Sequence, residues 1–159
     1  RSRDRSRAPL INSYRAADDR IFWLICLEGD RHWPKVLAAI DRPELADDPR
    51  YVDAVARMNH AADLIVELDA AFATRPLAHW AERFDENDVW WAPVQSIFEV
   101  IADPQAQRGF VEMTPRDGDE PFRAVATPVD FDGHEVRPGP VPALGEHTAE
   151  VVAELRRLD

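Results

Sequence analysis

The feature that most constrains this chain lies near its end. Residues 127–145 carry Pro128, Pro138, Pro140 and Pro142 and read as an extended arm, because closely spaced prolines favour extended backbone over packed structure. Beyond the arm, residues 146–159 read as a helix with Val151, Val152, Leu155 and Leu158 on its inward face. An arm that leaves a small domain and ends in an amphipathic helix needs a surface to dock on. Nothing earlier in the chain obviously offers one, so the expectation is that this is part of something longer. The other terminus agrees. Residues 1–9, with four arginines before Ala8, read as a basic tail or linker; the alternative is a phosphate contact.

Between these ends, residues 10–126 are expected to form a small α/β domain. The apolar run Ile21–Leu27, bounded by Asp18-Asp19 and Gly29-Asp30, predicts a buried strand. A helix follows, with Asp30 as the expected N-cap, Pro34 in its first turn, and Trp33, Val36, Leu37 and Ile40 on one face. Residues 43–58 read as a short helix and a connector. Asn59 is the expected cap of a helix carrying Leu64, Ile65, Leu68 and Phe72. Thr74 is the expected cap of another carrying Leu77, Trp80 and Phe84. Val89–Val94 predicts an edge strand, since Pro93 cannot donate to a ladder. Ser96 is placed to cap a short helix through Ile97, Val100 and Ile101. Residues 110–113 and 122–126 alternate like strands around a hairpin turn at Arg116–Asp119.

The formal net charge of -11 argues against nucleic acid and against an anionic membrane surface, both of which are met with Lys and Arg. No apolar run is long enough to span a bilayer. The single cysteine, Cys26, excludes an internal disulfide and suggests a cytoplasmic setting. Inside its apolar run it should behave as a small buried hydrophobe. Glycine-rich phosphate loops, paired cysteines and a nucleophile elbow are all missing. His32, His60, His79, His134 and His147 lack metal-ligand spacing, so no metal is expected. Trp33 and Trp80 read as core. Of Trp90 and Trp91, on opposite faces of a strand, one should be buried and the other partly exposed, to meet either an adenine ring or a subunit interface.

An ordered set of segments resembles family III (CaiB/BaiF-type) coenzyme A transferases and acyl-CoA racemases. It begins with Pro9-Leu10-Ile11-Asn12-Ser13-Tyr14 and Ala17-Asp18-Asp19, where Asp19 stands for the family's usual glycine. It continues through Asp30-Arg31-His32-Trp33-Pro34, Asp47-Asp48-Pro49-Arg50-Tyr51, Arg57-Met58-Asn59, Trp80, Val89–Gln95 and Asp103-Pro104-Gln105, and closes with Gly145-Glu146-His147-Thr148. The resemblance implies the small-domain, carboxy-terminal portion of an interlocked dimer, partnered by a large-domain segment or subunit, with coenzyme A or acyl-CoA as substrate. It implies CoA transfer between carboxylic acids through an aspartate nucleophile that matches no position here. Two alternatives stand: part of a 2-methylacyl-CoA racemase, or a non-catalytic interaction domain that kept the fold.

Within the family the racemases use a glutamate after the first small-domain strand to orient a catalytic histidine, and Glu28 falls at the matching position. Its other reading is a carboxylate that merely favours the positive end of the adjacent helix. The family's mobile glycine-rich loop would fall at Pro9–Ser13, which holds no glycine. His147 either approaches the cofactor in the large domain or serves as a capping and packing residue.

Overall fold

The computed structural model describes residues 6–115, 120–129, 133 and 139–158, and the side chain of Leu158 is not among them. The expected turn at Arg116–Asp119, and residues 130–132 and 134–138 of the proline-rich arm, His134 among them, lie outside the described residues. The chain divides into two compact units, Arg1–Val94 and Gln95–Asp159.

The first unit is built on a three-stranded antiparallel sheet in the order β1-β2-β3: β1 (Ile11–Arg15), β2 (Ile21–Ile25) and β3 (Trp91–Pro93). β1 pairs with β2 through Ile11↔Ile25 and Tyr14↔Phe22, and β2 with β3 through Leu24↔Trp91. The tight turn between β1 and β2 places Asp19 at φ 63, a left-handed conformation that Asp tolerates. β3 is an edge strand, as Pro93 requires. β2, however, is buried on one face only. Phe22 and Leu24 are inaccessible while Trp23 is 45% exposed, so the apolar run alternates rather than filling a two-sided interior. The sequence reading also missed β1. Its polar residues Asn12, Ser13 and Arg15 conceal a strand whose register is set by Tyr14, buried with its hydroxyl donating to the Pro9 carbonyl at 2.6 Å.

Four helices complete this unit: α1 (Gly29–Ile40), α2 (Ala54–Asn59), α3 (Ala61–Phe72) and α4 (Leu77–Glu86), with a 3₁₀ turn at Pro43–Ala46. Their apolar stripes meet the inner sheet face around an aromatic nucleus. Phe72 lies 5.0 Å, ring centre to ring centre, from both Tyr14 and Phe22, and 5.4 Å from Trp80. Offset and edge-on rings at such distances add to the burial itself. The Trp80 indole N–H donates to the carbonyls of Phe72 and Arg75, which closes the corner between α3 and α4.

The helix starts differ from the sequence expectation in three places. α1 begins after Glu28 rather than Asp30, which puts Pro34 inside the helix. Asn59 ends α2, and α3 starts after His60. Thr74 donates to the Ala71 carbonyl rather than capping α4, whose N-cap is Pro76. The donor left open at the start of α4, the Leu77 N–H, is met from far away by the Asp18 carboxylate at 3.2 Å. Local sequence cannot reveal a cap supplied from 59 residues upstream. Asp18→Ala is expected to destabilise this unit by about 1 kcal/mol, the usual worth of a cap, measurable as a lower urea midpoint with unchanged slope.

In the second unit, α5 (Ile97–Ala102) starts from Ser96, where a complete capping box joins Ser96 and Glu99. A 3₁₀ turn follows at Ala106–Gly109. β4 (Phe110–Met113) and β5 (Phe122–Val125) then pair antiparallel, as expected. α6 (Thr148–Leu158) closes the chain. Its apolar residues Val151, Val152 and Leu155 are exposed rather than inward. No helix among the described residues is long and apolar enough to cross a membrane.

Candidate functional site

A cleft of about 180 Å³ lies in the first unit where the segment before β1 meets the end of β2 and the starts of α1 and α2. Leu10, Ile11, Leu27 and Met58 give it an apolar wall, and Arg7 and Arg57 bring positive charge. The segment Pro9–Ser13 thus runs from this wall into β1.

Arg57 organises the floor. It is only 3% exposed, and it donates to the Tyr51 carbonyl at 2.8 Å and to the Asp30 carboxylate. Its guanidinium also lies 5.3 Å from the centre of the Trp33 ring. A buried guanidinium is sustained by such fixed partners, and its planar fork suits two acceptors at once. Cys26, in the same cleft, is 1% exposed. Burial pushes its thiol up from the ordinary value, while a contact to the Trp90 carbonyl at 3.7 Å works in the other direction. A thiol held protonated is a packing group rather than a nucleophile.

Glu28 stands at the turn from β2 into α1, between the cleft residues Leu27 and Gly29. It is the N-cap residue of α1 by position, yet its side chain caps nothing. The carboxylate is more than half exposed and pairs with Arg31 at 3.0 Å. The hydrogen bond from Arg31, and then its charge, hold the Glu28 carboxyl below the ordinary carboxylate range. The group is therefore an ionised acceptor at neutral pH. Arg31→Gln is expected to return Glu28 to ordinary titration, as carbon-detected NMR would read. By linkage, whatever this pair adds to stability is present above the unfolded-state pKa and is lost as pH falls through the depressed folded value.

One participant was invisible to a search for metal spacing. His32 is fully buried. Its backbone N–H and its ring Nδ1 both meet the Glu28 carbonyl, at 2.9 and 3.0 Å. The Trp90 ring lies against the imidazole, 4.7 Å between centres. Trp90 is thus the partly exposed member of the tryptophan pair, and Trp91 packs on the core. The signal that could have found His32 is its i+4 spacing from Glu28 at a strand-to-helix corner.

His147 forms an i,i+3 pair with Glu150 at 3.6 Å in the second unit. Among the described residues no cluster of His, Cys, Asp and Glu is suited to a metal ion.

A one-sided antiparallel sheet covered by helices, with a polar corner and an apolar cleft, defines a small α/β module. The chain belongs to CoA-transferase family III, whose sequence profile matches residues 1–148. It is 28% identical over 156 residues to the (R)-2-hydroxy-4-methylpentanoate CoA-transferase of Clostridioides difficile, covering 97% of this chain and 39% of that protein. It is 31% identical over 127 residues to the formyl-CoA:oxalate CoA-transferase of Escherichia coli, covering 79% of this chain and 30% of that protein. Among solved structures, Rv3272 of Mycobacterium tuberculosis superposes with a TM-score of 0.72 at 25% identity, over 86% of this chain and 38% of that one. A CAIB/BAIF family protein from Brucella suis shares the fold, with a TM-score of 0.68 at 24% identity, over 92% of this chain and 38% of that one. The chain spans roughly a third of the length of the curated relatives it matches.

Proposed function

We propose that this chain supplies the small-domain part of an enzyme that moves coenzyme A between carboxylic acids, with the nucleophilic aspartate outside residues 1–159. The observation that carries the reading is the family match over residues 1–148. Relatives named as CoA-transferases accompany it. A carboxylate nucleophile suits the chemistry, because anhydride and thioester exchange both stay near energetic balance. In this reading residues 10–126 form the small domain, 127–145 cross as an arm, and 146–159 dock through Val151, Val152 and Leu155 on a large-domain segment or subunit, in a homodimer. CoA thioesters are the substrates and no metal takes part.

A second reading is part of a 2-methylacyl-CoA racemase, which works by proton abstraction beside the thioester. In it Glu28 is the orienting carboxylate for an imidazole of the large domain, a role that its exposure and its retained charge support. A carboxylate against an imidazole fixes the tautomer and raises the basicity.

One experiment separates the readings. Protein from the complete reading frame is incubated with acyl-CoA and isotopically labelled free acids in D₂O. Labelled acyl-CoA is the expected product. Deuterium at the α-carbon without acyl exchange would identify the racemase. Neither product, from a folded protein and across a panel of acids, would leave a non-catalytic interaction domain.

A further inference from the structure

We propose that His32 is a positioning residue that fixes where the Glu28 carboxylate emerges; this rests on the orienting role of Glu28 given above. A carbonyl oxygen can only accept, so the 3.0 Å contact from ring Nδ1 to the Glu28 carbonyl assigns the proton to Nδ1. The backbone N–H of the same residue reaches that oxygen at 2.9 Å. One side chain and its own amide therefore clamp a single carbonyl.

The clamp is placed where the backbone needs it. Glu28 sits at φ -95, ψ 79, outside both helix and strand, and has no side-chain cap to define it. Arg31 holds the far end, the carboxylate, at 3.0 Å. Glu28 is thus fixed at its carbonyl from inside and at its carboxylate from outside. The ring's other nitrogen, Nε2, is buried with no hydrogen-bond partner among the described residues. An aliphatic residue of similar bulk would fill the space without leaving a polar atom unpaired. What the imidazole adds over such a residue is the Nδ1 donor. Trp90 packs against the ring at a tilt, 4.7 Å between centres.

The test has a structural arm and a catalytic arm. In this chain, long-range proton–nitrogen correlations should show the Nδ1–H tautomer of His32; an Nε2–H tautomer overturns the proposal without any variant. His32→Leu removes the donor and keeps bulk. Glu28 should then titrate nearer its ordinary value, because the carboxylate no longer sits opposite Arg31. His32→Asn puts an amide N–H near the Nδ1 position and should keep the native titration. In the complete enzyme, His32→Leu should lower kcat on the order of 10-fold with KM little changed, as misplacing a supporting group does, and His32→Asn should recover most of the loss. Unchanged Glu28 titration and unchanged kcat in folded His32→Leu overturn the proposal, as does equal loss in His32→Asn. Glu28→Gln distinguishes the two ideas. If it leaves turnover intact, the reading of Glu28 fails and the catalytic role of His32 fails with it. If it impairs turnover while His32→Leu does not, only the His32 proposal fails.

Discussion

Phe72→Ala is expected to lower the unfolding free energy of the first unit by about 3–5 kcal/mol, the range for deleting a buried aromatic ring. Phe72 is inaccessible to solvent and stands among Tyr14, Phe22, Trp80 and Phe84, all with ring centres within 5.8 Å. These rings come from β1, β2, and α4, so the cavity would open where three elements converge. Trp80 would also lose packing beside the carbonyl its indole binds. A domain of this size holds roughly 5–15 kcal/mol in all, so the variant should be near the edge of folding. Urea unfolding followed by tryptophan fluorescence reads it directly. A loss under about 1 kcal/mol, smaller than any in the reference range, would mean that this aromatic nucleus is not the packed centre of the unit.

Arg57→Met should cost about 2–3 kcal/mol, and for a different reason. The stem is replaced, so packing beside Trp33 is largely kept. What is lost is the donor to the Tyr51 carbonyl, 2.8 Å away, and an unpaired buried carbonyl costs about 1–3 kcal/mol. The ion pair adds less, because the Asp30 partner is mostly exposed and solvent screens it. Arg57→Lys should recover only part of the loss, since one ammonium cannot span both acceptors as the planar fork does. Chemical denaturation of the variants checks the ranking: native above Lys above Met. Equal stability of all three would show that the buried guanidinium does not hold α2 against the start of α1.

The sequence made periodic elements legible and hid those set by distant partners. The stripes Val36-Leu37-Ile40 and Leu64-Ile65-Leu68-Phe72 sit in α1 and α3 as their spacing demands. Ser96 and Glu99 declare α5 because both halves of that cap are local. The start of α4 was misread because its open donor is met by Asp18, which no neighbouring residue announces. β1 was missed because Asn12 is buried and polar, so the alternation that marks a strand is broken by composition while the backbone keeps it. The site divides in the same way. Glu28 was reached only through resemblance to a family, since a lone glutamate before a helix carries no chemical signature. The i,i+4 spacing of Glu28 and His32 is local, but the packing of Trp90 against the His32 ring needed the fold.

The proposed function puts the nucleophile and the cofactor site outside residues 1–159. Calorimetric titration of CoA and acetyl-CoA into the purified chain tests that most directly. No heat of binding is expected up to millimolar ligand. Saturable binding at micromolar affinity would contradict it, and would place the cofactor site within residues 1–159.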